Sequence, residues 1–337
     1  MRQPITASSV DEAFRVHVIP FTPLIDVVKK ILPPRTLPSQ LPPATAQRLT
    51  LYPASPKIRF GLSPKLCPTL HFNILSSSSM KSKLLRPLLF TLALALGAVT
   101  APAAQFKALL ITETDGWHHD SISAAVPALQ DLAKLHDFEL VWPNTLAIVS
   151  DKGLASFDVI IFALSTGDVL NDEQQAAVEK FVQNGGGIAG IHSGGADTEY
   201  GWDWWTKGMG HMFHIHPAVQ TGTVEVLEPN FPGMDRFAKR FLATEEWYEF
   251  DASRNKNLNY LLAVDESTYN PAADWGSKKG DGMGKFHPLS WFHNYDGGRI
   301  FYTAFGHLPA TYKDANFLHH VYGGIYWAAT GKGFKAE

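Results

Sequence analysis

Between residues 106 and 191 four short apolar runs alternate with segments of helical period. Residues 106–112, 138–141, 157–163 and 188–191 are apolar almost throughout, the signature of parallel strands buried on both faces. Between the first two, Ile122, Val126, Leu129, Leu132, Ala133 and Leu135 recur at helical spacing. Asn171-Asp-Glu-Gln174 reads as a capping box opening a helix that runs to Asn184, and Gly185-Gly-Gly187 ends it. The second half is less regular. Residues 219–226 and 258–264 read as strands, and residues 289–292 and 299–305 flank a hairpin turn at Asp296-Gly-Gly298. A closing helix is expected over 315–329, apolar at Phe317, Val321, Ile325 and Trp327. Strand–helix alternation of this kind predicts an α/β fold: a three-layer α/β/α sandwich around a mainly parallel sheet.

In such a sheet the loops at the carboxyl ends of the strands form the functional edge. Here they are residues 113–120, 165–170 and 192–200. The third is the most informative. An apolar strand runs into Gly190-Ile-His-Ser-Gly194, the layout of a sharp strand-to-helix turn that exposes one side chain. In hydrolases the exposed residue is Ser or Cys. Here it is His192, a poor nucleophile but a good metal ligand or proton carrier. Ser193 lies one place past the tip.

Composition divides the chain. Residues 1–79 hold 12 of the 22 prolines and three acids, without sustained periodicity. A basic run from Met80 to Arg86, an apolar run over 87–99 and Ala101-Pro-Ala103 then form the layout of a secretory signal peptide. The expected organisation is a non-native or disordered Pro-rich leader (1–79), a signal peptide (80–103) and one folded domain (104–337), exported to the periplasm or beyond. From residue 104 on there are 17 Lys and Arg against 29 Asp and Glu. That balance argues against nucleic acid or an anionic membrane as partner. The single cysteine, Cys67, lies upstream, so the domain carries no thiol nucleophile. No stretch beyond the signal is apolar enough to be an integral membrane segment, and nothing in the sequence fixes an oligomeric state.

Twelve of the 14 histidines fall in this domain. His119 follows the first strand beside Trp117 and Asp120. His211, His214 and His216 crowd one segment, with His214 and His216 on one side if it is extended. Glu245-Glu-Trp-Tyr-Glu249 packs three acids around Trp247 and Tyr248; a carboxylate there suits a base or a ligand. His287 and His307 each sit at a strand boundary, and Gly306 allows close backbone approach at the second. Trp202, Trp204 and Trp205 read either as a sugar-stacking platform or as a core helix face. No H-E-x-x-H or CxxC spacing is present.

These pieces together resemble the ThuA-like family (trehalose utilisation) within the glutamine amidotransferase-like, flavodoxin-like fold. The runs that carry the resemblance include Trp117-His-His-Asp-Ser-Ile122, Gly185 to Asp197, His216-Pro-Ala-Val-Gln220, Glu246-Trp-Tyr248, His287-Pro-Leu-Ser-Trp291 and Gly306-His307. They span residues 106–331 in order. Two departures stand out: His118-His119 replaces a frequent Arg-His, and Glu245 a frequent Asp. The resemblance implies a carbohydrate-processing protein, not a glutaminase, since His192 stands where amidotransferases have cysteine. It carries over His119, His192, His216, Glu246 and His307 as site residues. The expected catalytic set is His192, Glu246, His307 and His119. Trp117, Asp197, Trp205 and Tyr248 are expected to bind a small carbohydrate, and His192, His216 and His307 to hold any divalent metal such as zinc. The competing expectation is a non-catalytic sugar-binding module.

Overall fold

The computed structural model describes residues 103–334. The leader and nearly all of the signal segment lie outside the described residues. One nine-stranded sheet organises the rest. Its strands are β1 (Lys107–Ile111), β2 (Glu139–Val141), β3 (Val159–Ala163), β4 (Gly187–Ile191), β6 (Gln220–Val226), β7 (Arg240–Glu245), β9 (Asn259–Asp265), β12 (His287–Tyr295) and β13 (Gly298–Thr303), in the order β2-β1-β3-β4-β13-β12-β9-β6-β7. β5 (Phe213–Ile215) pairs with β8 (Glu249–Phe250), and β10 (Ala272–Asp274) with β11 (Lys279–Asp281), as separate ribbons.

The expected α/β fold is present, but the sheet is not mainly parallel. β2, β1, β3, β4 and β13 run parallel to their neighbours, whereas the pairs from β13 through β12, β9 and β6 to β7 are antiparallel. The reason is local. Asp296-Gly297 turns β12 directly into β13, with Asp296 and Gly297 both at positive φ, and a two-residue turn can join only antiparallel strands. β7 is not among the expected strands: its residues alternate exposed and half-buried, so it shows no continuous apolar run.

β1, β3 and β4 owe their apolarity to burial on both faces. Ala108, Leu110, Val159 and Ile161 enter one core with Ala125, Val126 and Leu129 of α1 (Ile122–Leu135) and Val321 and Ile325 of α6 (Ala315–Thr330). Their neighbours Leu109, Ile111, Ile160 and Phe162 enter a second core. It includes Leu154 of α2 (Asp151–Leu154), Val178 and Val182 of α3 (Asp172–Gln183), and Trp205 and Met209 of α5 (Asp203–Met209). The Asn171–Gln174 capping box forms as the sequence predicts. Among the described residues no helix is long and apolar enough to cross a membrane.

This frame sets the functional edge. The chain leaves β1, β4 and β13 at the same end of the sheet, and these exits carry His119, His192 and His307. Between β4 and the rest stands α4 (Ser193–Ala196), a single distorted turn packed on β3. A Cβ on Gly194 would lie 2.2 Å from the Phe162 carbonyl oxygen. Gly194→Ala is therefore expected to displace the turn and to cost about 1–3 kcal/mol, as overpacking in a rigid core does. Thermal unfolding would show a lowered midpoint; an unchanged midpoint would mean that the turn does not need this close approach.

Candidate functional site

His192 is the anchor. Its backbone sits at φ 57°, ψ −122°, a strained conformation for a residue with a side chain. Three bonds to the β13 exit hold it there: its N–H donates to the Thr303 carbonyl at 2.8 Å, its carbonyl accepts from Tyr302 Oη at 2.8 Å, and its Nδ1 meets the Ala304 carbonyl at 2.8 Å. A carbonyl can only accept, so Nδ1 carries the ring proton. Nε2 then presents a lone pair, which accepts from Tyr248 Oη at 2.8 Å and lies 3.5 Å from Glu246 Oε2. The side chain is fully buried.

Glu246, just past β7, is surrounded by imidazoles. His307 Nδ1 lies 2.9 Å from Oε2, and His216 Nε2 lies 3.3 Å from Oε1. Burial works against the ionised carboxylate, but the surrounding histidines, His192 and His307 foremost, outweigh it and hold the pKa well below the ordinary range. For His307, burial again opposes the charge and Glu246 prevails, raising its pKa. His119 stands edge-on to His192 and His307, with ring centroids 4.8 and 5.6 Å away. Burial and the neighbouring His192 lower its pKa from 6.5 to about 3, so it stays neutral at physiological pH.

One donor atom each from His119, His192, Glu246 and His307 falls within a 4.8 Å cluster. The metal set expected from sequence contains His216, which the structure leaves outside. Its Nδ1 donates to Pro217 O at 2.8 Å, which aims Nε2 at the far carboxylate oxygen. His119 and Glu246 complete the cluster instead.

His119, Glu246 and His307 of the cluster line a cavity of about 520 Å³, with His192 buried behind them; its walls include Trp117, Asp197, Phe213, Tyr248 and Trp275. Trp117 is 72% exposed and Trp275 48%, so both indoles are open to a ligand. Trp205, expected to bind substrate, does not reach it. It is fully buried in the second core, and its indole N–H donates to the Gly195 carbonyl at 3.0 Å. The Trp202–Trp205 segment is a core helix face, because helical spacing turns Trp205 onto Phe162. Trp275 and Phe213 are site residues that the sequence pattern does not reveal. The only sequence signal for Trp275 is a lone tryptophan in a polar turn, Asp274-Trp-Gly-Ser277.

The remaining histidines sort by partner. His211 bonds Asp251 O and Tyr260 Oη, and His214 bonds Lys279 O, so of the segment's three histidines only His216 reaches the cavity. His287 is clamped behind the site between Glu266 Oε1 at 2.7 Å and the Tyr248 carbonyl at 2.8 Å. Glu245 is buried and acts as a brace. Its carboxylate accepts the N–H groups of Gly306 and His307, both at 3.2 Å, and so fixes the loop that carries His307.

The sequence pattern of the ThuA family (trehalose utilisation) matches residues 107–328. The chain belongs to the ThuA family. Two solved ThuA-like proteins share its fold. One from Bacteroides uniformis is 22% identical with a TM-score of 0.57, covering 69% of this chain and 94% of its own. The other, from Parabacteroides merdae, is 18% identical with a TM-score of 0.54, covering 69% and 92%. At these identities the likeness speaks for the ThuA fold alone. No match is found among curated proteins.

The lowered pKa of His119 predicts how stability depends on pH. The unfolded chain takes up this proton near pH 6.5, the folded chain only near 3, so stability falls as pH drops through that window. Glu246 acts with the same sign at lower pH, because its carboxylate must be protonated against the imidazoles. His307 acts oppositely, its contribution being lost as pH rises above its ordinary value. Thermal melts from pH 7 to 4 are expected to show a falling midpoint and a shallower slope in His119→Asn. An identical slope in the variant would mean that His119 is not buried neutral.

Proposed function

We propose that this ThuA protein is an exported carbohydrate-processing enzyme that acts on a sugar or keto-sugar through the His119–His192–Glu246–His307 cluster. The single observation that carries this is the convergence of those donors beside a cavity, lined by His119, Glu246 and His307, whose walls hold two exposed indoles. Aromatic faces open to solvent suit the apolar faces of sugar rings. Export rests on the sequence alone, through the basic and apolar runs from Met80 and the Ala101-Pro-Ala103 site.

A divalent cation of the zinc class fits the donor set. Three imidazoles and one carboxylate are the ligand types zinc prefers. His192 donates its other ring N–H to a backbone carbonyl, the arrangement that orients metal-bound histidines. His307 Nδ1 is buried and has no hydrogen-bond partner, although it lies 2.9 Å from Glu246 Oε2. The neutral state of His119 is also the one that binds a cation.

When bound, such an ion would polarise a sugar carbonyl or hydroxyl and acidify a water. The chain's own residues do the rest. Trp117 and Trp275 hold the ring, and Glu246 accepts a proton as the base. The Ala304 carbonyl, bonded to His192 Nδ1, keeps that imidazole in place.

Zinc-supplemented protein assayed on disaccharides and keto-sugars is expected to turn over. Glu246→Gln should lower kcat by about 100-fold, the usual contribution of a positioned base. Trp275→Ala should raise KM about 10-fold with little change in kcat, since stacking is lost equally from the ground and transition states. Sugar binding without turnover in the wild type would instead establish a binding module.

A further inference from the structure

A second cavity, of about 600 Å³, shares no lining residue with the histidine site. Glu245, the last residue of β7, lines it, whereas the next residue, Glu246, lines the first. Consecutive side chains of an extended segment point to opposite sides. The walls are aromatic. Phe237 stacks on Phe241 of β7, with ring centroids 4.5 Å apart and planes 17° apart. Phe305, just past β13, and Phe317 of α6 complete them. The volume falls within the roughly 300–1,000 Å³ of small-molecule sites.

Two polar side chains of this wall are buried, Glu245 and His320. Glu245 is fully engaged: it accepts the N–H groups of Gly306 and His307 and the hydroxyl of Thr311. His320 is not. It is 1% exposed and lies one turn along α6 from Phe317. Its Nε2 is 3.2 Å from Ser290 Oγ, and that hydroxyl gives its single proton to the Tyr302 carbonyl at 2.6 Å. Ser290 can then only accept from the imidazole, so Nε2 carries the ring proton and Nδ1 a bare lone pair. Burial lowers the pKa of His320 from 6.5 to about 3, which keeps the ring neutral. Nδ1 is buried and bonds to nothing among the described residues. A buried acceptor is rarely left so, because it forfeits the hydrogen bonds it had in water.

We propose that this cavity is a second ligand site of the protein, taking an uncharged aromatic ring of the phenol class whose hydroxyl donates to His320 Nδ1. Each part of that class answers a feature of the wall. The four phenylalanines favour offset-stacked or edge-on contact with another ring. The lone pair at Nδ1 calls for a donor, which an ether or a hydrocarbon lacks. The Glu245 carboxylate repels an anion, and a cation would have to leave water for apolar walls. No covalent step is involved, and binding here does not depend on any reaction at the histidine cluster.

Titration of the full chain with phenol, and with anisole as a similar ring that cannot donate, tests this without any turnover. Calorimetry should show phenol binding about 10-fold tighter than anisole, the worth of one net hydrogen bond. In the nitrogen NMR spectrum the His320 Nδ1 resonance should move upfield with phenol and stay in place with anisole. His320→Leu should bind the two alike. Ala243→Phe, at a half-buried position of β7 on the cavity wall, should weaken both about 10-fold by filling the space, and it keeps the test decisive if His320→Leu does not fold. No binding of phenol, equal affinity for phenol and anisole in the wild type, an unmoved Nδ1 resonance under saturating phenol, or undiminished binding in Ala243→Phe would overturn the proposal.

Discussion

Everything at the functional edge depends on the way β13 grips His192. The residue sits in a conformation that a side chain disfavours, at the end of a strand whose last residue pairs with Thr303. Its N–H, its carbonyl and its ring Nδ1 are all bonded to residues 302–304. Strain of this kind, of the order of 1–3 kcal/mol, persists only where the surroundings over-determine the geometry. Parallel pairing of β4 with β13 supplies that. It also brings the exit of β13, and therefore His307, alongside His192. A sheet with its strands in another order would leave these two histidines far apart.

Charge is the second constraint. Glu246 is almost fully buried and ionised, which a protein tolerates only with compensation close by. His307 is the imidazole that supplies it most directly. It is driven toward its charged form, while His119 is driven away from it, first by burial and then by the neighbouring His192 and His307. Two of the carboxylate's contacts, with His307 Nδ1 and with His216 Nε2, bring nitrogen and oxygen together at 2.9 and 3.3 Å. Since His216 already donates its Nδ1 proton to Pro217, its Nε2 faces Glu246 with a lone pair unless a cation or a proton lies between. The cluster is therefore arranged for an additional positive charge, and that requirement underlies both the metal fit and the acid–base reading.

Much of this is legible in the sequence, and the limits have physical causes. The buried strands β1, β3 and β4 and helix α1 follow from apolar runs and helical period, because burial on both faces leaves almost no polar position to confuse the reading; the edge strand β2 is only half-buried. His119, His192 and His307 can be placed at one edge from strand direction alone. What cannot be read is distance. His216 shares a motif with the site but bonds the far oxygen of Glu246, and Trp205 has the composition of a sugar platform but faces Phe162 in the core. The antiparallel half is harder to see because its strands are exposed on alternate positions, as in β7. Trp275 escapes notice because β10 and β11 pair only with each other, and a two-stranded ribbon leaves almost no periodic signal.

Anomalous X-ray diffraction at the zinc absorption edge, on crystals grown with zinc, tests the cluster most directly. The expected result is one strong peak per chain within bonding distance of His119, His192, Glu246 and His307, about 2.0–2.2 Å from each donor. A peak bonded instead to His216 and other residues, or none at the cavity floor under saturating zinc, would contradict it.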